Sequence, residues 1–238
     1  MSDMFQKAPA GTKKNFTRFP LNMGDSIVLM QGYLHESNTA VLFCSPDPLW
    51  STEYLINKST QPTSFTSNQP SSTNRVTSYL MKILDKANIQ NFGFEFTKYN
   101  TSNNNYNKFI TQTSLFLETF LAMREYKKLI IVGYSLGALV AMNLVLRRQE
   151  IDEFIMIAPP LLYYDFVSWV SSYKTKGLLV YGGKDSSIPQ DVVSAYLHFL
   201  ERKKIQVSPN CIPEASHTFA NCLPELGRVV LNYITNQQ

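Results

Sequence analysis

The sequence predicts an α/β fold, a mostly parallel central sheet flanked by helices on both faces. Short β-prone runs alternate with longer stretches of helical periodicity, and consecutive parallel strands need such covering crossovers between them. At residues 129–146 the run "LIIVGYSLGALVAMNLVL" joins an apolar strand to an apolar helix through a serine set between Gly133 and Gly137, so both elements belong in a core. With 238 residues, 44% of them hydrophobic, the chain can bury a sizeable core within one domain.

The elements follow in order. Residues 1–20 carry Lys7, Lys13, Lys14 and Arg18 against a lone acid, Asp3, and read as a basic N-terminal arm. Asp3, Pro9 and Gly11 would spoil a basic amphipathic helix there, so the arm is not expected to be an organelle-targeting leader. The single domain is expected over residues 21–238. "DSIVLMQGYL" (25–34) and "TAVLFC" (39–44) read as strands close enough to pair as a hairpin or a tight antiparallel entry. In "VTSYLMKILDKA" (76–87), Tyr79, Leu80, Ile83 and Leu84 fall on one helical face, and "FGFEF" (92–96) alternates as a strand does. Residues 109–126 suit a long amphipathic helix leading into the strand "KLIIV". After the Ser135 helix come the strands "EFIMIA" and "GLLVYGG", the helix "QDVVSAYLHFLERKK", the strand "IQVSPNCIP" and a last helix, "LPELGRVVLNYI". Two polar stretches interrupt the rhythm: residues 57–74, rich in Ser, Thr, Asn, Gln and Pro, and the shorter 100–107.

Composition excludes several classes. The net charge is +4 and no Lys/Arg stripe interleaves with aromatics, so no nucleic-acid partner is expected. Cys44, Cys211 and Cys222 are odd in number and irregular in spacing, which suits free thiols in a reducing compartment. No apolar run reaches the roughly 18 to 20 residues of a membrane helix, and no secretory h-region opens the chain. The expectation is an intracellular protein, cytoplasmic or in the mitochondrial matrix, and not secreted. No metal or organic cofactor is expected, because no Cys/His/carboxylate cluster has ligand spacing and no G-x-G-x-x-G or P-loop pattern occurs.

Gly133-Tyr134-Ser135-Leu136-Gly137 satisfies G-x-S-x-G with a strand before it and a helix after it, the context in which this pattern exposes a nucleophilic serine. A serine hydroxyl is a poor nucleophile alone and needs a base and an orienting acid further along the chain. Asp185 follows the strand "GLLVYGG", and His217 follows the next strand, in the order Ser, Asp, His. Loops after parallel strands share one edge of the sheet, so the three can converge. The rivals fit less well: His198 lies within a helix, His35 precedes Ser135, Asp165 follows the wrong strand, and Asp191 reads as a first-turn helix acid.

With these residues the chain resembles the α/β-hydrolase superfamily over nearly all its length after about residue 20. More narrowly it is similar to the small, lidless dienelactone-hydrolase-like and prolyl-oligopeptidase-like esterases. The segments that carry the likeness are "VGYSLGALVAMNL", "IAPPLLYYDF", "LLVYGGKDSSIP" and "PEASHTF". The resemblance implies Ser135 as nucleophile, His217 as base and Asp185 as its orienter. It also implies an α/β-hydrolase fold with no large cap domain, since few residues separate "IMIAPP" from "GLLVYGG". Candidate walls of the resulting shallow pocket are Leu161, Leu162, Tyr163, Trp169 and Phe219. Relatives carry His-Pro-x-Pro and a Gly-Gly pair after the third strand, where this chain has Ser45-Pro46-Asp47-Pro48-Leu49-Trp50. By that correspondence the two oxyanion-hole donors are the backbone N–H groups of Asp47 and Leu136.

Two functions follow. One is a serine hydrolase that cleaves a small-molecule carboxylic ester or thioester through an acyl-serine. The other, suggested by the altered Asp47 loop, is a catalytically impaired protein of this fold that serves as a binding or structural subunit of a larger complex, an organellar one included. In that case protein partners would dock through the 57–74 insertion or the N-terminal arm.

Overall fold

The computed structural model describes residues 16–22, 27–44, 72–96, 118, 126–162 and 175–236. In chain order the elements are β1 (Phe16–Asn22), β2 (Ile27–Tyr33), β3 (Thr39–Cys44), α1 (Ser72–Lys86), β4 (Gln90–Phe96), β5 (Lys128–Tyr134), α2 (Leu136–Arg147), β6 (Glu153–Ile157), β7 (Lys176–Gly182), α3 (Gln190–Arg202), β8 (Val207–Ile212) and α4 (Leu223–Thr235). The strands form one eight-stranded sheet in the order β1-β2-β4-β3-β5-β6-β7-β8. From β4 through β8 all neighbours are parallel, while β1 and β2 are antiparallel additions at one edge.

The middle strands form where the sequence is apolar without alternation. Every residue of β3 and β6 is buried, as is all of β5 after Lys128, because helices cover both faces of a parallel sheet. Helix α2 is buried from Leu136 through Val145. Fully enclosed leucines such as Leu139 and Leu144 each contribute about 1.5–3 kcal/mol relative to exposure. Helix α1 instead buries one stripe, Val76, Leu80 and Leu84 at i, i+4 spacing, against the sheet. Its half-buried Tyr79 and Ile83 close over Gly227 of α4, where a side chain would strike the Ile83 tip at 2.3 Å.

Three expectations need correction. Residues 16–20, read with the basic arm, belong to β1, which pairs with β2 from Phe16↔Tyr33 to Asn22↔Ile27. Strands β2 and β3 do not form a hairpin: β4 lies between them, antiparallel to β2 and parallel to β3. The connection 34–38 holds no Asn-Gly or Gly-Gly turn, and β3 satisfies its two edges with β4 and β5 instead. Residues 72–74, read as the end of the polar insertion, open α1. The helix expected over 109–126, the polar stretch 100–107 and the rest of the 57–74 insertion lie outside the described residues, apart from Glu118, which is helical, and Tyr126.

Only residues 158–175 separate β6 from β7, which leaves no room for a large cap domain. The chain leaves β3 toward β4 on one side and leaves β5 toward β6 on the other. Such a reversal opens a crevice at the carboxyl ends of β3 and β5, where ligands bind in open α/β sheets. Ser135 stands at that crevice. No described helix is long and apolar enough to cross a membrane.

Candidate active site

Ser135 links the last residue of β5 to the first of α2 and has φ 51° and ψ −121°, a strained conformation for a residue with a side chain. Surrounding contacts hold it there. Its N–H donates to the Ile157 carbonyl at 2.8 Å, and its own carbonyl accepts from Ala138 N–H at 2.9 Å. Gly133 permits the turn by close approach: a Cβ there would lie 2.5 Å from both the Ala138 Cα and the Gly137 carbonyl oxygen. The turn therefore needs glycine at 133 because the start of α2 packs directly on β5.

Asp185 sits just after β7, and its loop is braced against the loop after β8. Lys184 N–H donates to the Ala215 carbonyl at 3.0 Å and Gly183 N–H to the Ile212 carbonyl at 2.9 Å. A Cβ on Gly182 would meet the Ala215 carbonyl oxygen at 2.3 Å, so the two loops approach as closely as backbones can. One oxygen of Asp185 accepts the N–H of Ser187 at 2.8 Å, a local turn of the kind Asp makes with the residue two positions on. The other oxygen faces His217.

These elements bring the three expected side chains into one hydrogen-bonded row. His217 Nδ1 lies 2.8 Å from Asp185 Oδ2, and His217 Nε2 lies 3.0 Å from Ser135 Oγ. An ionised carboxylate only accepts, so Nδ1 carries the proton and donates to Asp185. In the neutral ring Nε2 is then the acceptor, and the Ser135 hydroxyl donates to it. Asp185 is wholly enclosed while His217 keeps 12% of its side chain exposed. Water therefore reaches the imidazole before the carboxylate.

Leu136, the expected donor to an oxyanion, is the first residue of α2. Its N–H belongs to the first turn, which has no intrahelical acceptor, and lies at the positive end of the helix dipole. Its expected companion Asp47, with Tyr163 and Trp169, lies outside the described residues. Leu161 is half-buried against the core after β6, and Leu162 is 52% exposed. Phe219 corrects an expectation. It is completely enclosed in the core and offers no surface to a ligand.

The rivals fall elsewhere. His198 is 82% exposed on α3 beside Glu201, Asp191 is exposed in the first turn of α3, and His35 pairs with Asp85 at 3.1 Å. His35 precedes β3 and so lies toward the amino ends of the parallel strands, away from Ser135. Asp165 lies outside the described residues. Sequence reasoning did not foresee Ser187 or Tyr134. Asp-x-Ser after a strand is a legible turn signal for the first; the second donates its hydroxyl to the His217 carbonyl at 2.9 Å, a pairing between residues far apart in the chain. Among the described residues no group of three or more His, Cys, Asp or Glu converges as metal ligands do.

A sheet of this order with a serine elbow at its switch point defines an α/β serine hydrolase fold. The model of the dienelactone hydrolase family matches residues 83–233, and the chain belongs to that family. An uncharacterized protein of Rickettsia prowazekii is 32% identical over 114 residues, 46% of this chain and 48% of that protein. The match thus spans about half the length of that curated relative. Among solved structures, a lidless α/β serine hydrolase from Xanthomonas campestris is similar with a TM-score of 0.70 and 20% identity over 95% of this chain and 96% of the other. An α/β serine hydrolase homologue from Coxiella burnetii gives a TM-score of 0.71 and 19% identity over 94% and 100%. These likenesses concern the fold.

Proposed function

We propose that the protein hydrolyses a small carboxylic ester or thioester through an acyl-Ser135 intermediate. The observation that carries this reading is the row Ser135 Oγ, His217 Nε2 at 3.0 Å, His217 Nδ1 and Asp185 Oδ2 at 2.8 Å. As Oγ attacks the substrate carbonyl carbon, its proton passes to Nε2, and Asp185 holds the imidazolium that forms. The oxyanion develops beside the start of α2, where the Leu136 N–H is available to it. Collapse breaks the bond to the alcohol or thiol, which leaves with the proton from Nε2. Water then gives a proton to Nε2 and its oxygen to the acyl carbon. The acid departs, and Ser135 recovers its proton.

Chemistry also narrows the substrate. Leu162 offers an apolar surface near the carboxyl end of β6, and the site has no room for a large cap to enclose a long ligand.

Labelling by a fluorophosphonate probe tests the reading. Wild type should label, and Ser135→Ala and His217→Ala should abolish labelling, after which a panel of p-nitrophenyl esters and acyl thioesters ranks substrates. A folded wild type that neither labels nor turns over any of them would overturn it.

A further inference from the structure

The residue before the serine is built into the support of the histidine. Tyr134 ends β5 and is 2% exposed, yet its phenol reaches across to the loop after β8 and donates to the main-chain carbonyl of His217 at 2.9 Å. Its ring also lies against the imidazole, with centroids 5.9 Å apart and planes tilted by 34°. One side chain, covalently next to Ser135, thus touches both the backbone and the ring of His217.

That double contact matters because His217 lies between β8 and α4, outside regular secondary structure. On one side the loop is pinned by the buried Ala215, whose carbonyl accepts from Lys184 N–H. On the other it is pinned by the enclosed Phe219, held at φ 51° with its N–H on the Ser216 carbonyl at 3.1 Å. Between these pins, Ser216 is exposed and His217 and Thr218 are half-buried. The Tyr134 hydroxyl grips this middle span at the residue that must aim.

Aim is sensitive here. The Nε2 to Oγ separation is 3.0 Å, and a drift of about half an ångström takes such a pair out of hydrogen-bond range. Burial, reinforced by the charge of Asp185, holds the phenol protonated well above its ordinary range, so it remains a donor at every working pH.

We propose that Tyr134 is a positioning residue that fixes the reach and tilt of His217 relative to Ser135, an inference that rests on the hydrolase reading above. Two measurements on Tyr134→Phe separate the two claims. The first is steady-state hydrolysis of p-nitrophenyl acetate. Loss of one hydrogen bond that orients a base should lower kcat about 3- to 10-fold with KM little changed. The second is the low-field proton resonance of His217 Nδ1–H in its bond to Asp185, followed by NMR with pH, which needs no turnover. It should shift or broaden in Tyr134→Phe.

Tyr196→Phe is the control, since it removes a phenol hydroxyl from a similarly buried ring in α3 and should leave both readouts at wild-type values. An unchanged kcat and an unchanged His217 resonance in Tyr134→Phe would overturn the proposal. Equal changes in Tyr196→Phe would do so too, because they would mark a general loss of stability. If wild type neither labels nor turns over any ester or thioester, the hydrolase reading fails and the resonance still decides: a shift specific to Tyr134→Phe supports the positioning role, and none overturns it.

Discussion

His217 donates Nδ1–H to Asp185 across 2.8 Å, and the carboxylate that receives it is sealed from solvent while the imidazole is not. Asp185 spends its other oxygen on the Ser187 N–H at 2.8 Å, so both of its lone-pair faces are committed to orientation.

Asp185→Asn follows directly from that arrangement. An amide keeps the size of the side chain but offers an N–H where the carboxylate accepted one, which favours the wrong tautomer of His217. We expect kcat to fall by roughly 10³ to 10⁴ with a much smaller change in KM and a retained fold. Stopped-flow acylation by an activated ester, alongside circular dichroism, reads both; a loss under about tenfold would detach Asp185 from the reaction.

Gly133→Ala tests the elbow as architecture. The new methyl would sit 2.5 Å from backbone atoms of α2, and neither side can move without shifting a largely buried element. We expect a stability loss of about 2–4 kcal/mol in urea denaturation, comparable to severe overpacking, together with lost probe labelling. Wild-type stability in this variant would show that the turn has slack.

Much of this was legible in the chain, and the misses have physical causes. β3, β5 and β6 and helix α2 were readable because a parallel sheet buries both faces, leaving uninterrupted apolar runs. β1 was not, since "FTRFPLN" carries Arg18 and Pro20; Pro20 is tolerated because β1 is the edge strand. Apolar periodicity marks a strand without naming its neighbour, so β2 and β3 were read as partners although β4 separates them. The row of Ser135, Asp185 and His217 followed from chain order and strand ends. Phe219 is not legible in this way, because an aromatic beside a site reads the same from sequence whether it lines a pocket or is enclosed in the core.

The other end of the sheet carries a buried carboxylate. Glu153, with its side chain 3% exposed at the start of β6, takes Lys128 Nζ at 3.0 Å and Lys176 Nζ at 3.1 Å on one oxygen, joining the starts of β5, β6 and β7. Glu153→Ala removes the charge both ammonium groups face and opens a cavity. Because the lysines are partly solvated, the expected loss is about 2–4 kcal/mol, somewhat below the roughly 3–5 kcal/mol of a fully buried pair. Chemical denaturation should find this loss with probe labelling of Ser135 retained; a loss of labelling at full stability would contradict a purely structural role.

The cysteines offer a test of the core. Cys44 is enclosed at the end of β3, where burial pushes its thiol well above the usual range, and Cys222 is buried before α4, whereas Cys211 is exposed on β8. Iodoacetamide acts on accessible thiolate, so the native protein should take one label, on Cys211, and the urea-unfolded chain three. Peptide mass mapping distinguishes them, and native modification of Cys44 would contradict the packing of β3 between β4 and β5.

Alkaline pH should find the buried phenols. Burial raises both Tyr134 and Tyr196 above the ordinary value of 10.0, Tyr134 with added help from the negative Asp185. In the unfolded chain the same phenols ionise near their ordinary value, so above it the unfolded state holds fewer protons than the folded one. Their stabilising contribution is therefore complete below about pH 10 and is lost as pH rises toward the folded-state values, at about 1.4 kcal/mol per pH unit for each tyrosine. Urea midpoints between about pH 9 and about pH 11 should fall steeply in wild type, and less steeply in Tyr134→Phe combined with Tyr196→Phe. Lysines titrate in the same interval but are common to both proteins, so the difference in slope isolates the two phenols. Identical slopes would mean that these hydroxyls ionise freely in the native state, which is incompatible with a Tyr134 that donates to His217.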